Sequence, residues 1–120
     1  MKMIVWGLFV AVGLSLTSCS TPVPRPTCVE LADWTAEEVA IVTAEEIAAA
    51  DTTPAHCKVS GVADETIRFE LLLPEEWNGK LLMGGGGGFV GSIDNQALQG
   101  VPELLERGYA TVGTDTGHQG

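Results

Sequence analysis

The chain has 120 residues, enough for one small domain, and 16 acidic side chains outweigh 6 basic ones for a formal net charge of −10. With no basic patch anywhere, such a surface repels nucleic acid and anionic lipid, which excludes nucleic-acid binding. There are 3 cysteines and no Cys-x-x-Cys pair, a poor basis for a zinc site.

Residues 1–18 read as an export signal. Lys2 is followed by an almost wholly apolar run from Met3 to Leu16, too short for a comfortable membrane span and shaped like a secretory h-region. Leu16-Thr17-Ser18-Cys19 resembles a bacterial lipobox, in which the cysteine is lipidated and becomes the new N-terminus. An ordinary signal peptide cut near Ser18 and an uncleaved anchor are the alternatives. Ser20 after the cysteine fits outer-membrane sorting if the host is Gram-negative. Residues 19–27, with Pro22, Pro24 and Pro26, form an extended tether between membrane and domain. The expected location is therefore exported and lipid-anchored through Cys19, in the outer membrane or periplasm, or otherwise secreted. Export leaves Cys28 and Cys57 where disulfides persist. Their pairing would close a loop of about 30 residues and stabilise the fold by about 3–4 kcal/mol.

Residues 28–120 form the domain. Thr35 to Ala50 contains Thr-Ala-Glu-Glu twice, each a potential capping box in a helix-favouring composition. Val39, Ile41 and Thr43 nevertheless alternate with their neighbours, so a short strand between two helical turns is equally compatible. Cys57–Val62 and Thr66–Leu73 read as paired strands joined by a turn at Ala63–Glu65, with Ile67, Phe69, Leu71 and Leu73 on one face. Pro74 ends the second strand. Trp77-Asn78-Gly79-Lys80 carries an Asn-Gly turn, a strong hairpin signal. Leu81–Met83 is a short buried strand leading into five glycines. Val101–Arg107 reads as a short helix with Pro102 in its first turn and Gly108 as C-terminal cap. Tyr109–Gly113 is a further strand, followed by Thr114-Asp-Thr-Gly-His-Gln-Gly120. Strand, loop, helix and strand open an α/β sheet, whose sites lie at the carboxyl ends of its strands.

The glycine run has several readings. A phosphate-binding P-loop needs Gly-Lys-Ser/Thr, and Phe89-Val90 stands there instead. Gly86-x-Gly88-x-x-Gly91, with Asp115 further on, matches a dinucleotide fingerprint, but five glycines match almost any glycine spacing and no clear helix opens after Gly91. A flexible linker is usually polar, whereas Leu-Leu-Met and Phe-Val flank this run and favour burial; a tight packing loop stays open. The remaining reading is an oxyanion loop, in which bare backbone turns an N–H towards substrate.

Several segments, in order, resemble the start of the tannase/feruloyl esterase family. They are Cys28 with Leu31, Pro54-Ala-His-Cys57-Lys-Val-Ser-Gly61, Ile67 to Pro74, Trp77-Asn-Gly-Lys80, the glycines to Gly91, and Arg107-Gly-Tyr-Ala110 with Thr114-Asp-Thr-Gly-His118. The resemblance covers Cys28 to Gly120. It implies an α/β fold, here the N-terminal portion of an α/β-hydrolase, incomplete in this chain. It also implies a carboxylic ester hydrolase acting on esters of phenolic or aromatic acids through a serine acyl-enzyme. An N–H among Gly84, Gly85, Gly86, Gly87 and Gly88 would be one oxyanion donor, and Cys28–Cys57 would match the family's N-terminal disulfide. No serine here lies in Gly-x-Ser-x-Gly or Cys-Ser-x-Gly, so nucleophile, Asp and His are expected downstream and the chain alone is expected to be inactive and poorly folded. Asp115 and His118 then order the loop after their strand; no nucleophile lies beside them in sequence, and a dyad would need Ser92 to fold close. The chain is expected to hold no cofactor: the family's lid calcium would lie beyond it, and Asp94 and Asp115 do not make a metal site. A small anchored envelope protein of binding or structural type is the non-enzymatic alternative.

Overall fold

A computed structural model describes residues 25–86 and 91–119. The export signal, Cys19, Gly87 and Gly88 lie outside the described residues. The first element, α1 (Cys28–Ala32), is short, and its start is fixed by a capping box: the Thr27 side chain accepts from the Glu30 N–H while Thr27 N–H donates to the Glu30 carboxylate at 2.7 Å. Six strands follow in one sheet: β1 (Thr35–Ala36), β2 (Val39–Ile47), β3 (His56–Ala63), β4 (Ile67–Pro74), β5 (Leu81–Met83) and β6 (Ala110–Thr114). Their spatial order is β1-β2-β3-β4-β6-β5, and every neighbouring pair is antiparallel except β5 with β6, which is parallel.

The two Thr-Ala-Glu-Glu segments are strand and turn, not helical turns. Val39, Ile41, Val42, Thr43 and Ile47 suit a pleated surface, and cross-strand pairing of β2 with β3 over its whole length overrides the helical preference of Ala and Glu. A bulge between Ile41 and Thr43 leaves Val42 exposed and moves the core-facing set from Ile41 to Ala44. Cys28, Cys57 and Val59 are buried at the heart of this half, with Leu31, Ile41, Ala44, Leu71 and Leu73 packed against them. The disulfide Cys28–Cys57 ties α1 to the start of β3, with Cα atoms 5.5 Å apart. On the same face Gly61 lies under the Phe69 ring, where an added Cβ would come within 2.4 Å of it.

Three further expectations change. Leu81–Met83 is a strand but not a buried one: its side chains are exposed, and among the described residues it stands at the edge of the sheet. The Asn-Gly turn makes no hairpin: β4 and β5 are not partners, because β6 inserts between them. The segment 101–107 is only a 3-10 turn at Pro102–Leu104, in which Leu104 is buried along with the next residue, Leu105. The helical element of that crossover lies earlier, in α2 (Gln96–Gly100), capped by the Asn95 side chain.

Candidate active site

The parallel pair β5 and β6 points both carboxyl ends the same way. From one end emerges the glycine run; from the other emerges the loop 115–119. The chain returning from the glycine loop rejoins this corner, since Asp94 bridges Thr114 beyond the last β5 pair, Met83 with Val112. Gly113 makes room for that return: a Cβ there would stand 2.6 Å from the Asp94 carbonyl oxygen.

The described glycines are not equivalent. Gly84 is pressed against the first turn of α2, where an added Cβ would fall 2.4 Å from Ala97 N and 2.7 Å from the Gln96 carbonyl carbon. A packing role is thus visible for this glycine. Gly85 has nothing within 4 Å of an added Cβ, and Gly85 and Gly86 are both exposed. Both follow β5 at its carboxyl end.

Asp115 is 1% exposed and fully engaged. Its Oδ1 accepts from the backbone N–H groups of Arg68 and Gly117, each at 2.9 Å, and its Oδ2 from Gln119 Nε2 at 3.3 Å. The Gly117 N–H is the main reason its carboxyl is held below the ordinary value of 3.8; burial opposes the shift, while Gln119, the Arg68 N–H and the Arg68 charge add to it. His118 donates its backbone N–H to the Asp115 carbonyl at 3.1 Å, and its side chain is exposed. A carboxylate occupied by three donors is built to hold a loop and is poorly placed to take a proton.

Among the described residues no serine is hydrogen-bonded to a histidine. Ser60 lies within β3, and Ser92 donates to Asp94 Oδ2 at 3.3 Å. His56 is buried at the opposite end of the sheet, its Nδ1 2.8 Å from the Pro54 carbonyl and therefore the protonated nitrogen. The same far end holds the disulfide and an open cavity of 660 Å³ lined by Arg25, Leu31, His56, Cys57 and Leu73 among others. Large as it is, that cavity lies away from the glycine loop. Among the described residues no three His, Cys, Asp or Glu side chains converge as a metal site.

Two asparagine links between distant segments, one at this corner and one at the strand entrances, carry no obvious sequence signal. Asn95 caps α2 and donates to the Thr111 hydroxyl at 2.8 Å. Asn78 joins the two strand entrances, donating from its backbone N–H to the Gly108 carbonyl and from Nδ2 to the Arg107 carbonyl, both at 2.8 Å. An Asn three residues ahead of Leu98 is a recognisable capping signal, but the Thr111 contact spans 16 residues.

The described residues thus form one mixed sheet with few helices, carrying a strand–glycine loop–helix–strand unit. Residues 35–120 match the family described as Tannase and feruloyl esterase, and the chain belongs to that family. It is 38% identical over 105 residues to a mono(2-hydroxyethyl) terephthalate hydrolase of Piscinibacter sakaiensis, a match covering 77% of this chain and 16% of that protein. An uncharacterized esterase of Xanthomonas campestris is 34% identical over 111 residues, covering 88% of this chain and 17% of that one. Among solved structures, an esterase from Aspergillus oryzae superposes with a TM-score of 0.60 at 23% identity, covering 78% of this chain and 22% of that one. The chain thus spans about a sixth of the length of the curated relatives it matches.

Proposed function

We propose that these residues form the oxyanion-loop side of an α/β-hydrolase that cleaves esters of phenolic or other aromatic acids through a serine acyl-enzyme. The observation that supports this most is Gly85: it follows a parallel strand, carries no packing duty, and has open space where a side chain would otherwise stand. In the proposed reaction a serine from outside the described residues attacks the ester carbonyl. The carbonyl oxygen gains charge, and an N–H of Gly85 or Gly86 donates to it. A donor of this kind contributes about 3–4 kcal/mol to the transition state, because it is already aimed where charge develops. Collapse expels the alcohol, and water then releases the acid. Asp115 and the His118 backbone act by shaping the neighbouring loop, without moving protons. The family and the activity named for the Piscinibacter relative, a hydrolase of a terephthalate ester, support an aromatic acyl group.

Export and lipid anchoring at Cys19 belong to the same proposal, with the acidic surface leaving no role for nucleic acid. Radiolabelled palmitate incorporation that survives in the parent and is lost in Cys19→Ala is the expected result; equal labelling would reject the anchor.

The reaction is tested on the full protein encoded at the locus, with methyl esters of aromatic and aliphatic acids and a serine-directed phosphonate. Preferential aromatic hydrolysis, lost on stoichiometric phosphonylation, is expected. Activity that resists the phosphonate would refute the serine, and equal turnover of aliphatic esters would refute the acyl class. Residues 25–120 alone are expected to hydrolyse neither.

A further inference from the structure

Consecutive glycines are the loosest backbone a protein can use, yet a catalytic donor must be held in place before substrate arrives. Something in the corner must therefore restrain the run. At its entrance the restraint is the β5–β6 pairing, which ends at Met83 with Val112. At its exit three contacts meet. Asp94 bridges Thr114 and lies against Gly113. Asn95 Nδ2 donates to Thr111 Oγ1 at 2.8 Å. Asn95 Oδ1 accepts from Leu98 N at 3.1 Å and so sets the first turn of α2. That first turn is what presses on Gly84, through Gln96 and Ala97. One asparagine side chain thus links the loop's exit to β6 and, through α2, to the loop's first glycine.

Thr111 is the fixed end of this link. It is 0% exposed, the second residue of β6, flanked by Leu72 of β4 on one side and Leu82 of β5 on the other. A valine would fill the same space in a buried strand; the hydroxyl differs only in offering a polar partner. We infer that the Thr111 hydroxyl, through Asn95, is the positioning device of the glycine loop: it holds the backbone of Gly85 and Gly86 in the arrangement that turnover needs. Thr111 is a positioning residue, not a catalytic one, and its catalytic consequence rests on the ester-hydrolase reading above.

The test compares Thr111→Val, which removes the acceptor at nearly constant volume, with Thr111→Ser, which restores it. Where Thr111→Val does not fold, Asn95→Ser replaces it: serine still caps α2 but is too short to reach position 111. Two quantities are read on the full enzyme: kcat and KM on an aromatic ester, and amide hydrogen exchange at Gly85 and Gly86 against the core residue Val59. For Thr111→Val, kcat is expected to fall about 10- to 100-fold, short of the loss of a whole oxyanion donor, with KM within about threefold. Exchange at Gly85 and Gly86 is expected to accelerate by about tenfold or more while Val59 is unchanged. Thr111→Ser should recover both. Unchanged kcat and exchange in Thr111→Val would overturn the inference, as would a Thr111→Ser variant as impaired as the valine. If the parent enzyme hydrolyses no ester, the ester reading fails alone, and the exchange data still decide: faster exchange keeps the positioning role, and unaltered exchange removes it.

Discussion

Three glycines separate two physical costs that are usually mixed. Gly100, the last residue of α2, has open space around it and no positive φ; Gly79 has a φ of +84° and open space; Gly108 has a φ of +77° and would place a Cβ 2.5 Å from the Glu76 carbonyl oxygen. Alanine at position 100 should be neutral or stabilising by up to about 1 kcal/mol, since it restricts the unfolded chain and improves helix propensity. Alanine at 79 bears the left-handed backbone cost alone, about 1–2 kcal/mol, less the same unfolded-state gain. Alanine at 108 adds a collision with backbone, which cannot rotate aside. The turn must shift, and the bonds from Asn78 N to the Gly108 carbonyl and from Asn78 Nδ2 to the Arg107 carbonyl lengthen with it. At about 1 kcal/mol per bond, the total for Gly108→Ala is about 3–4 kcal/mol. Urea unfolding of the full protein measures all three on one scale. Trp77 is a local reporter, because its Nε1 donates to the Lys80 carbonyl at 2.8 Å within the same turn. Unfolding free energies for the three variants within about 0.5 kcal/mol of one another would refute this reasoning.

Replacing both Cys28 and Cys57 by alanine should cost about 3–4 kcal/mol for a loop of 29 residues' separation, and reduction of the wild type should move its urea midpoint equally. Because the disulfide lies at the opposite end of the sheet from the glycines, kcat per folded molecule should not change. Gly84→Ala drives a Cβ into α2 backbone and should cost about 1–3 kcal/mol, whereas Gly85→Ala should stay within about 0.5 kcal/mol; equal losses of thermal stability would contradict the packing difference. Asp115 has its folded pKa lowered below 3.8, so its contribution is complete above that value and is lost as pH falls towards the lowered one. Acid unfolding of the wild type should therefore be steeper below about pH 4 than that of Asp115→Asn, and parallel curves would exclude the role.

Much of the sheet was legible because alternation survives where one face is buried. Ile67, Phe69, Leu71 and Leu73 share the face that meets Val59 and Cys57, as their spacing predicts. β2 was ambiguous for a definite reason: the Val42 bulge breaks its period at midpoint, and the Ala and Glu around it carry the opposite propensity. The crossover misled for another reason. Asn95 starts a helix that ends at Gly100, ahead of the expected span, and Pro102 cannot continue it, so the helix expected over Val101–Arg107 is only a 3-10 turn. Most opaque were the glycines themselves. Five identical letters cannot say that the first packs and the second stands open; that distinction arises from Gln96 and Ala97, a dozen residues further on.

The same corner explains how so short an edge strand can carry a loop at all. β5 has three residues, with Leu81, Leu82 and Met83 exposed at 56%, 39% and 58%, and among the described residues it pairs with β6 alone. Three ladder positions at an open edge are too few to be rigid. The pair is held instead at both ends. At the entrance Asn78 bonds to Arg107 and Gly108, Ala110 N donates to the Lys80 carbonyl at 3.0 Å, and the Lys80 ammonium lies 5.5 Å above the Tyr109 ring. At the exit Asn95 bonds to Thr111. Each clamp joins a residue near β5 to one in or beside β6, so neither strand can slide without breaking side-chain as well as backbone bonds. Register is what aims a loop, because a one-residue slip in β5 would turn every following backbone group to the other face. The Trp-Asn-Gly-Lys and Arg-Gly-Tyr segments are therefore as much a part of the glycine loop's geometry as the glycines, although they stand at the other end of the strands.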